Sequence, residues 1–389
     1  MAIPSKNTWS LGQWYDQDVA GNVNYFGLEP AELWNMGYQG GLAHNNTSNV
    51  SSPKQIPGTT WALVGGAVES ASSRVLKSDG TFWSWGYNNY GEAGTNDREA
   101  YSSPMQIGTN TNWKEVDSGN QWSVGVKQDG TLWSWGRQSA GRTGQNLGPS
   151  GAATSSPTQL GSGTTWKHCY AGVDWGAATT TNGELWIWGD GGYGQLMNND
   201  RAVYSSPIQV PGTTWDQLAG GRYLLSASKT DGTWYMSGSG TYGGLGQNIG
   251  GSPGNSRSSP VQFGAGNTWK LVTLGAYQGP TFGIRSDDTL WVCGDNDNGV
   301  LGFNTPSDVR YSSPTQLPGS YKSVWLTAYS SAAVKTDGTL WSWGKNDRTQ
   351  LGLNQSSTNV RLSSPTQVGT DTNWINIAGN SQYVYMKRS

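Results

Sequence analysis

The sequence predicts an all-β protein, a seven-bladed β-propeller of four-stranded antiparallel blades closed by pairing C-terminal strands with the first N-terminal strands. Three observations predict it. A Trp-rich phrase returns seven times, with its closing glycines 49, 50, 53, 49, 56 and 50 residues apart. Ser-Ser-Pro keeps step, beginning at Ser51, Ser102, Ser155, Ser205, Ser258, Ser312 and Ser363. A turn dipeptide precedes the phrase, as in Asp79-Gly80, Asp129-Gly130, Asn182-Gly183, Asp231-Gly232 and Asp337-Gly338, with Asp287-Asp288 as a variant. A fixed period of about 50 residues is the signature of repeated supersecondary units.

Each marker assigns one strand. A Trp about ten residues after Ser-Ser-Pro (Trp61, Trp113, Trp166, Trp215, Trp269, Trp325 and Trp374) opens strand A. Strand B runs into Asp-Gly, whose residues tolerate the positive φ of a tight hairpin. Strand C is the phrase itself, as in Leu132-Trp133-Ser134-Trp135-Gly136. Its alternate side chains share a face, so one face is heavily aromatic, and its closing Gly permits a sharp exit. Strand D follows Ser-Ser-Pro, where a Pro without an N–H suits an edge strand. Four strands per unit, repeated in a ring, make a propeller blade.

The first strand C lies at residues 32–37, whereas the chain ends on Trp374-Ile375-Asn376-Ile377-Ala378 and Tyr383-Val384-Tyr385-Met386, read as strands A and B. Pairing them with strands C and D of residues 31–56 removes an open edge. The propeller then spans 31–389. Residues 1–30 remain as an N-terminal aromatic arm carrying Trp9, Trp14, Tyr15, Tyr25 and Phe26, read as packing on its own propeller or assembling with another subunit.

Composition excludes several function classes. Gly is 57 and Trp 22 of 389 residues, with 13% charged residues and a net charge of −2. That is the opposite of a disordered chain, and it offers no clustered Lys and Arg for nucleic acid. The longest basic cluster, Lys387-Arg388, is read as a solvated end. No apolar run is long enough for a membrane span, and Met1–Lys6 has no signal-peptide character.

Candidate chemistry is sparse. His44 lies in a Gly/Asn-rich loop; His168 and Cys169 are adjacent in a strand, so their side chains point to opposite faces. Cys293 is the second cysteine and forms no CxxC. Asp295-Asn296-Asp297-Asn298-Gly299 lacks the later Glu of a calcium loop, and Gly238–Gly244 lacks the Lys-Ser/Thr of a phosphate loop. The expectation is a non-enzyme with no catalytic residue, no metal and no cofactor. What the fold does not dictate are the A–B turn residues. Gln121, Trp122, Asp174, Trp175, Arg222, Tyr223, Tyr277 and Tyr329 differ between repeats and fall at one end of successive blades, as a binding face would.

The Asp-Gly-Thr-Leu-Trp-Ser-Trp-Gly phrases, with turns such as Gly299-Val300-Leu301-Gly302 and Thr349-Gln350-Leu351-Gly352, resemble the repeats of the regulator of chromosome condensation family over about residues 31–389. The resemblance implies a seven-bladed propeller. Its best-known member is a nucleotide-exchange factor for a small GTPase that also binds nucleosomes. The family's Gly-x-x-His pattern in the A–B turn reads Ser72, Trp122, Trp175, Tyr223, Pro280, Ser330 and Gln382 here, without the His. The uniform Trp-rich style resembles bacterial and bacteriophage members. It implies a structural or interaction protein of the virion (capsid decoration, tail or fibre) whose partners are other protein subunits or surface glycans. Regulation of a small GTPase and glycan adhesion are the alternatives, and the cytoplasm is the alternative location.

Overall fold

The computed structural model describes residues 30–37, 43–45, 48–65, 72–147, 153–248, 255–266, 268–275, 279–305, 309–355, 360–379 and 383–388. In chain order, β1 (Ala31–Gly37) and β2 (Val50–Val64) belong to the closing blade. The second blade takes the end of β2 with β3 (Ser72–Lys77), β4 (Phe82–Gly86) and β5 (Tyr101–Gln106). The third holds β6 (Trp113–Gly119), β7 (Trp122–Lys127), β8 (Leu132–Gly136) and β9 (Thr154–Gln159); the fourth β10 (Trp166–Ala171), β11 (Trp175–Thr180), β12 (Leu185–Asp190) and β13 (Val203–Val210). The fifth holds β14 (Trp215–Gly220), β15 (Leu224–Lys229), β16 (Trp234–Gly238) and β17 (Arg257–Gln262). The sixth holds β18 (Trp269–Leu274), β19 (Thr281–Arg285), β20 (Thr289–Asp295) and the start of β21 (Arg310–Leu326). The seventh takes the rest of β21, β22 (Ser330–Lys335), β23 (Leu340–Lys345) and β24 (Arg361–Gln367), before β25 (Trp374–Gly379) and β26 (Tyr383–Arg388) return to the first blade.

All pairing is antiparallel. β2 and β21 each run from the outer edge of one blade into the inner strand of the next, so two sheets contain seven strands instead of four. The seam forms as expected: β26 pairs with β1 (Trp34 opposite Met386, Asn35 opposite Tyr385) and with β25. The pairing covers the edge that β1 would otherwise leave open.

The repeated phrase has two buried faces. Trp85, Trp135, Trp188 and Trp343, the second Trp of the four phrases that have one, are fully buried, whereas Trp83 and Trp133 are half-buried. On the opposite face of β4, the Phe82 ring centroid lies 5.6 Å from both Trp113 and Trp135 of the third blade. Each inter-blade layer is thus a separate apolar core, such as Trp122, Val124 and Leu132 against Cys169, Ala178 and Trp188. Burying a large apolar side chain contributes about 1.5–3 kcal/mol, and every blade repeats the arrangement.

The remaining markers also find physical roles. In all seven outer strands, a step of two residues along strand C spans a step of four along strand D at Ser-Ser-Pro, for example Ser134 to Gly136 against Thr158 to Thr154. The Pro therefore sits inside the edge strand at a bulge, where its missing N–H is harmless. The bulge turns the first Ser carbonyl outward, and an Asn of the preceding blade donates its backbone N–H to it: Asn96 to Ser155 at 2.7 Å, Asn146 to Ser205 at 2.8 Å. These Asn residues have positive φ (Asn96, 68°; Asn146, 55°), which Asn tolerates well.

One expected copy moves. In the seventh blade Trp325 is not the residue that opens strand A: Tyr321 pairs with Lys335 there, as Trp113 pairs with Lys127 in the third. The Tyr321 hydroxyl donates to the Pro318 carbonyl at 2.9 Å, matching the Trp61 indole on Pro57. The link here is one or two residues shorter than in the other blades, and its marker position holds Tyr321, four residues before Trp325. A second reading also changes: Arg388 is no solvated end, because its guanidinium lies 5.3 Å from the Trp34 centroid and 5.8 Å from that of Trp374.

Candidate interaction face

Antiparallel pairing places the short A–B turns and the long C–D loops at one end of every blade. The turn residues are held by side chains from the loops. In the third blade the Arg137 guanidinium donates to Gln121 Oε1 at 2.7 Å and stacks 4.9 Å from the Tyr90 centroid of the second blade. Gln121 itself has a φ of 66°, stabilised by the bond from the Arg137 N–H to its carbonyl at 2.8 Å.

Arg142 links the third blade to the fourth. It donates to the Asn120 carbonyl at 2.7 Å and the Ser139 carbonyl at 2.8 Å, and it ion-pairs with Asp174. Burial lowers the Arg142 pKa and the charge of the partly exposed Asp174 opposes that. Further round, the Tyr193 and Tyr223 ring centroids are 4.0 Å apart across the fourth and fifth blades, with Arg222 4.9 Å from the Tyr223 ring. Arg310 lies 5.5 Å from the Tyr242 ring and 3.5 Å from Asp295. Burial, then the neighbouring Asp297, pushes the Asp295 carboxyl up, and Arg310 counters this. Lys345 lies 5.2 Å from the Tyr329 ring and 2.7 Å from Asp347.

The expected turn residues thus divide. Gln121, Asp174, Arg222, Tyr223 and Tyr329 are partly exposed on this face. Trp122 and Trp175 are not: both are fully buried, and their indole N–H groups donate into the next blade, Trp122 to the Gly172 carbonyl at 3.0 Å and Trp175 to that of Arg222 at 3.2 Å. They begin strand B and point between blades, so they position the turns and do not form a contact surface. Tyr277, and the arm residues Trp9, Trp14, Tyr15, Tyr25 and Phe26, lie outside the described residues.

The face also includes side chains that the turns alone did not reveal, Tyr90, Arg137, Tyr193, Tyr242, Arg310 and Lys345, with the buried Arg142 supporting them from beneath. Tyr193 and Tyr87 are its most exposed aromatics, at 42% and 50%. A signal for part of this set existed. The residue after the closing Gly is Tyr38, Tyr87, Arg137, Asp190, Ser239, Asp295 or Lys345, as variable between repeats as the turns themselves.

Other candidate chemistry resolves into packing. His168 Nδ1 lies 3.1 Å from Glu115 of the neighbouring blade, while Cys169 is buried on the other face, as the strand period required. Burial pushes the thiols of Cys169 and Cys293 up, which favours the unreactive thiol. His44 Nε2 lies 2.8 Å from Asn35 Oδ1, and burial, then Lys54, lowers its pKa to about 4. Among the described residues no group of three or more His, Cys, Asp or Glu gathers as a metal site. The inner strands enclose a central cavity of about 280 Å³, where Glu115, Asp117 and Asn376 interrupt an apolar wall that includes Val64, Val116 and Val324.

The fold and face define a closed seven-bladed propeller with a polar and aromatic turn surface. The description "regulator of chromosome condensation (RCC1) repeat" matches residues 79–126 and 337–385. Both matched stretches begin at Asp-Gly, and the second crosses the seam into β26. Two yeast structures are similar: Prp20p from Saccharomyces cerevisiae, at 19% identity, TM-score 0.80, 94% of this chain and 92% of that one; and yeast RCC1 (Prp20) bound to Kap60, at 17% identity, TM-score 0.81, 100% and 96%. Human WBSCR16 is similar at 16% identity, TM-score 0.77, 92% and 98%. These similarities show an RCC1-like propeller fold. No curated protein matches the chain in sequence.

Proposed function

We propose that this protein is a non-enzymatic interaction module that binds a protein partner through its turn face. The observation that carries the reading is the run of inter-blade pairs Tyr90–Arg137, Arg142–Asp174 and Tyr193–Tyr223. They stand at positions the fold leaves free to vary, and they are immobilised before any partner arrives. Tyr and Arg on a rigid surface are the residue types that dominate protein interfaces, and pre-ordering them reduces the entropy lost on binding.

The uniform Trp-rich repeats support a setting in a bacteriophage virion, with residues 1–30 attaching the module to a neighbouring subunit. Purified particles analysed by mass spectrometry test the setting: absence of the chain from them rejects it. A Tyr193→Ala/Tyr223→Ala double variant tests the face. It should fold normally and be depleted from particles at least tenfold; normal incorporation rejects the face as the contact. Deleting residues 1–30 should leave a folded propeller that fails to assemble.

Exposed Tyr87 and Tyr193 also favour a second reading, glycan adhesion by ring stacking, which a glycan array with and without Tyr193→Ala separates from the first. Regulation of a GTPase draws support only from the fold shared with Prp20p, a protein described by its binding to Gsp1p and histones.

A further inference from the structure

At the end opposite the turn face, six of the seven blades hold a cation from the last position of strand B between two aromatic rings, one from strand A and one from strand C. Lys77 lies 4.8 and 3.9 Å from Trp61 and Trp83, and Lys127 lies 4.9 and 3.8 Å from Trp113 and Trp133. Lys229 does the same with Trp215 and Tyr235, Arg285 with Trp269 and Trp291, Lys335 with Tyr321 and Trp341, and Arg388 with Trp34 and Trp374.

The fourth blade departs from this pattern. Thr180 stands opposite Trp166 where Lys127 stands opposite Trp113. The ring pair nevertheless keeps its geometry: Trp166 and Trp186 are 6.0 Å apart at 72°, against 6.3 Å and 67° for Trp113 and Trp133, and 5.9 Å and 85° for Trp34 and Trp374. Trp166 is half-buried, whereas Trp61, Trp113 and Trp374 in the equivalent places are buried. A cavity of about 560 Å³ opens against Trp166 and Trp186, lined also by Gly161, Gly163 and Pro207.

A carboxylate accompanies the rings. Glu184 replaces the Thr of Asp-Gly-Thr, and its Oε2 lies 3.4 Å from the Trp186 indole nitrogen and 3.1 Å from Thr180 Oγ1. The first blade has the same substitution: Glu32 accepts from the Trp34 indole at 3.0 Å. There the carboxylate is matched by Arg388, 3.9 Å away and lying against both rings. The fourth blade therefore repeats the rings and the anion of the first blade without its guanidinium.

We propose that Trp166, Trp186 and Glu184 form a binding site for a guanidinium group, supplied by an arginine side chain of a partner protein. Two preset rings and a carboxylate are the elements that recognise such a cation. The site lies at the opposite end of the propeller from the turn face, so it stands or falls independently of that face.

The test is a titration of the full chain, labelled with ¹⁵N at tryptophan, with N-acetyl-argininamide, following the indole N–H signals of Trp166 and Trp186 at constant ionic strength. A saturable shift of these two signals with a dissociation constant on the order of millimolar is expected, about five-fold weaker in Glu184→Gln. Thr180→Arg should fill the site from within, abolish the shift and raise the melting temperature. No shift in the wild-type chain, an undiminished shift in folded Thr180→Arg or Thr180→Lys, or a lowered melting temperature in both variants would overturn the assignment.

Discussion

The backbone N–H of Asn354 donates to the carbonyl of Ser51 at 2.8 Å, across 303 residues of sequence. The same bond joins Asn45 to Ser102, Asn199 to Ser258, Asn248 to Ser312 and Asn304 to Ser363, so the seam uses the same contact as the other blade boundaries. Asn354 has a φ of 55°, and its side chain reaches Ser51 Oγ at 3.4 Å. Asn354→Ala should cost about 1 kcal/mol in urea unfolding, and Asn354→Gly only a few tenths, because Gly adopts this conformation freely. Equal losses would show that the backbone conformation is not what Asn supplies.

Removing residues 374–389 takes away β25 and β26 and leaves one edge of β1 unpaired. The product should elute as aggregates in size-exclusion chromatography, since an uncovered strand edge recruits other chains. A monodisperse truncated protein would contradict the seam.

Gly136 closes its phrase at a φ of 99°, and a Cβ there would lie 2.6 Å from both the Gln121 carbonyl oxygen and Trp122 Cα. Gly136→Ala should lower stability by about 2–3 kcal/mol, combining backbone strain with displaced backbone. Gly108, at a φ of 61° with open space around its Cβ position, is the control and should lose about 1 kcal/mol. Chemical denaturation distinguishes the two.

Lys127 is 6% exposed between its two rings. Lys127→Met keeps the apolar stem and loses the charge, so it should cost about 1 kcal/mol. Lys127→Ala should cost roughly 1 kcal/mol more through lost packing. Identical melting temperatures for Lys127→Met and wild type would remove the cation–ring attraction from the account.

Asp117 lies 5% exposed in the wall of the central cavity. Its Oδ2 accepts the Ala171 N–H at 2.8 Å, and Oδ1 has no hydrogen-bond partner. Burial pushes its pKa well above the usual carboxylate value, outweighing the hydrogen bonds that favour the ionised form. The folded protein therefore keeps a proton that the unfolded chain releases above about pH 4, and stability falls as pH rises from there. Asp117→Asn should melt higher than wild type at pH 7, with the gap closing towards pH 4. A gap independent of pH would show that titration is not its source.

The architecture was legible because seven copies of one phrase must be buried in seven equivalent ways. Asp-Gly-Thr-x-Trp illustrates it: Thr131 donates to Asp129 at 2.6 Å and the Trp133 indole donates to Thr131 at 2.8 Å, so spacing alone carries the hairpin. That bond is also the first cause of the lowered Asp129 pKa. The turn face was legible only in part. Gln121 and Asp174 vary and are partly exposed, but Trp122 and Trp175 vary in sequence and are still buried, because their indoles reach across to the next blade. Arg142 and Tyr193 lie in loops of differing length, where no period aligns them with the turns they support. Trp325 misled for a related reason: a link one or two residues shorter, with Tyr321 in place of the Trp, hid the marker without altering the strand.

The repeat unit begins at Asp-Gly, so each copy supplies the outer half of one blade and the inner half of the next. Gain or loss of a copy by recombination would then change the circumference and leave every junction chemically as it was. Ring size in such a chain is a count of copies, adjustable in whole steps, while the joint between its two ends need never be reinvented.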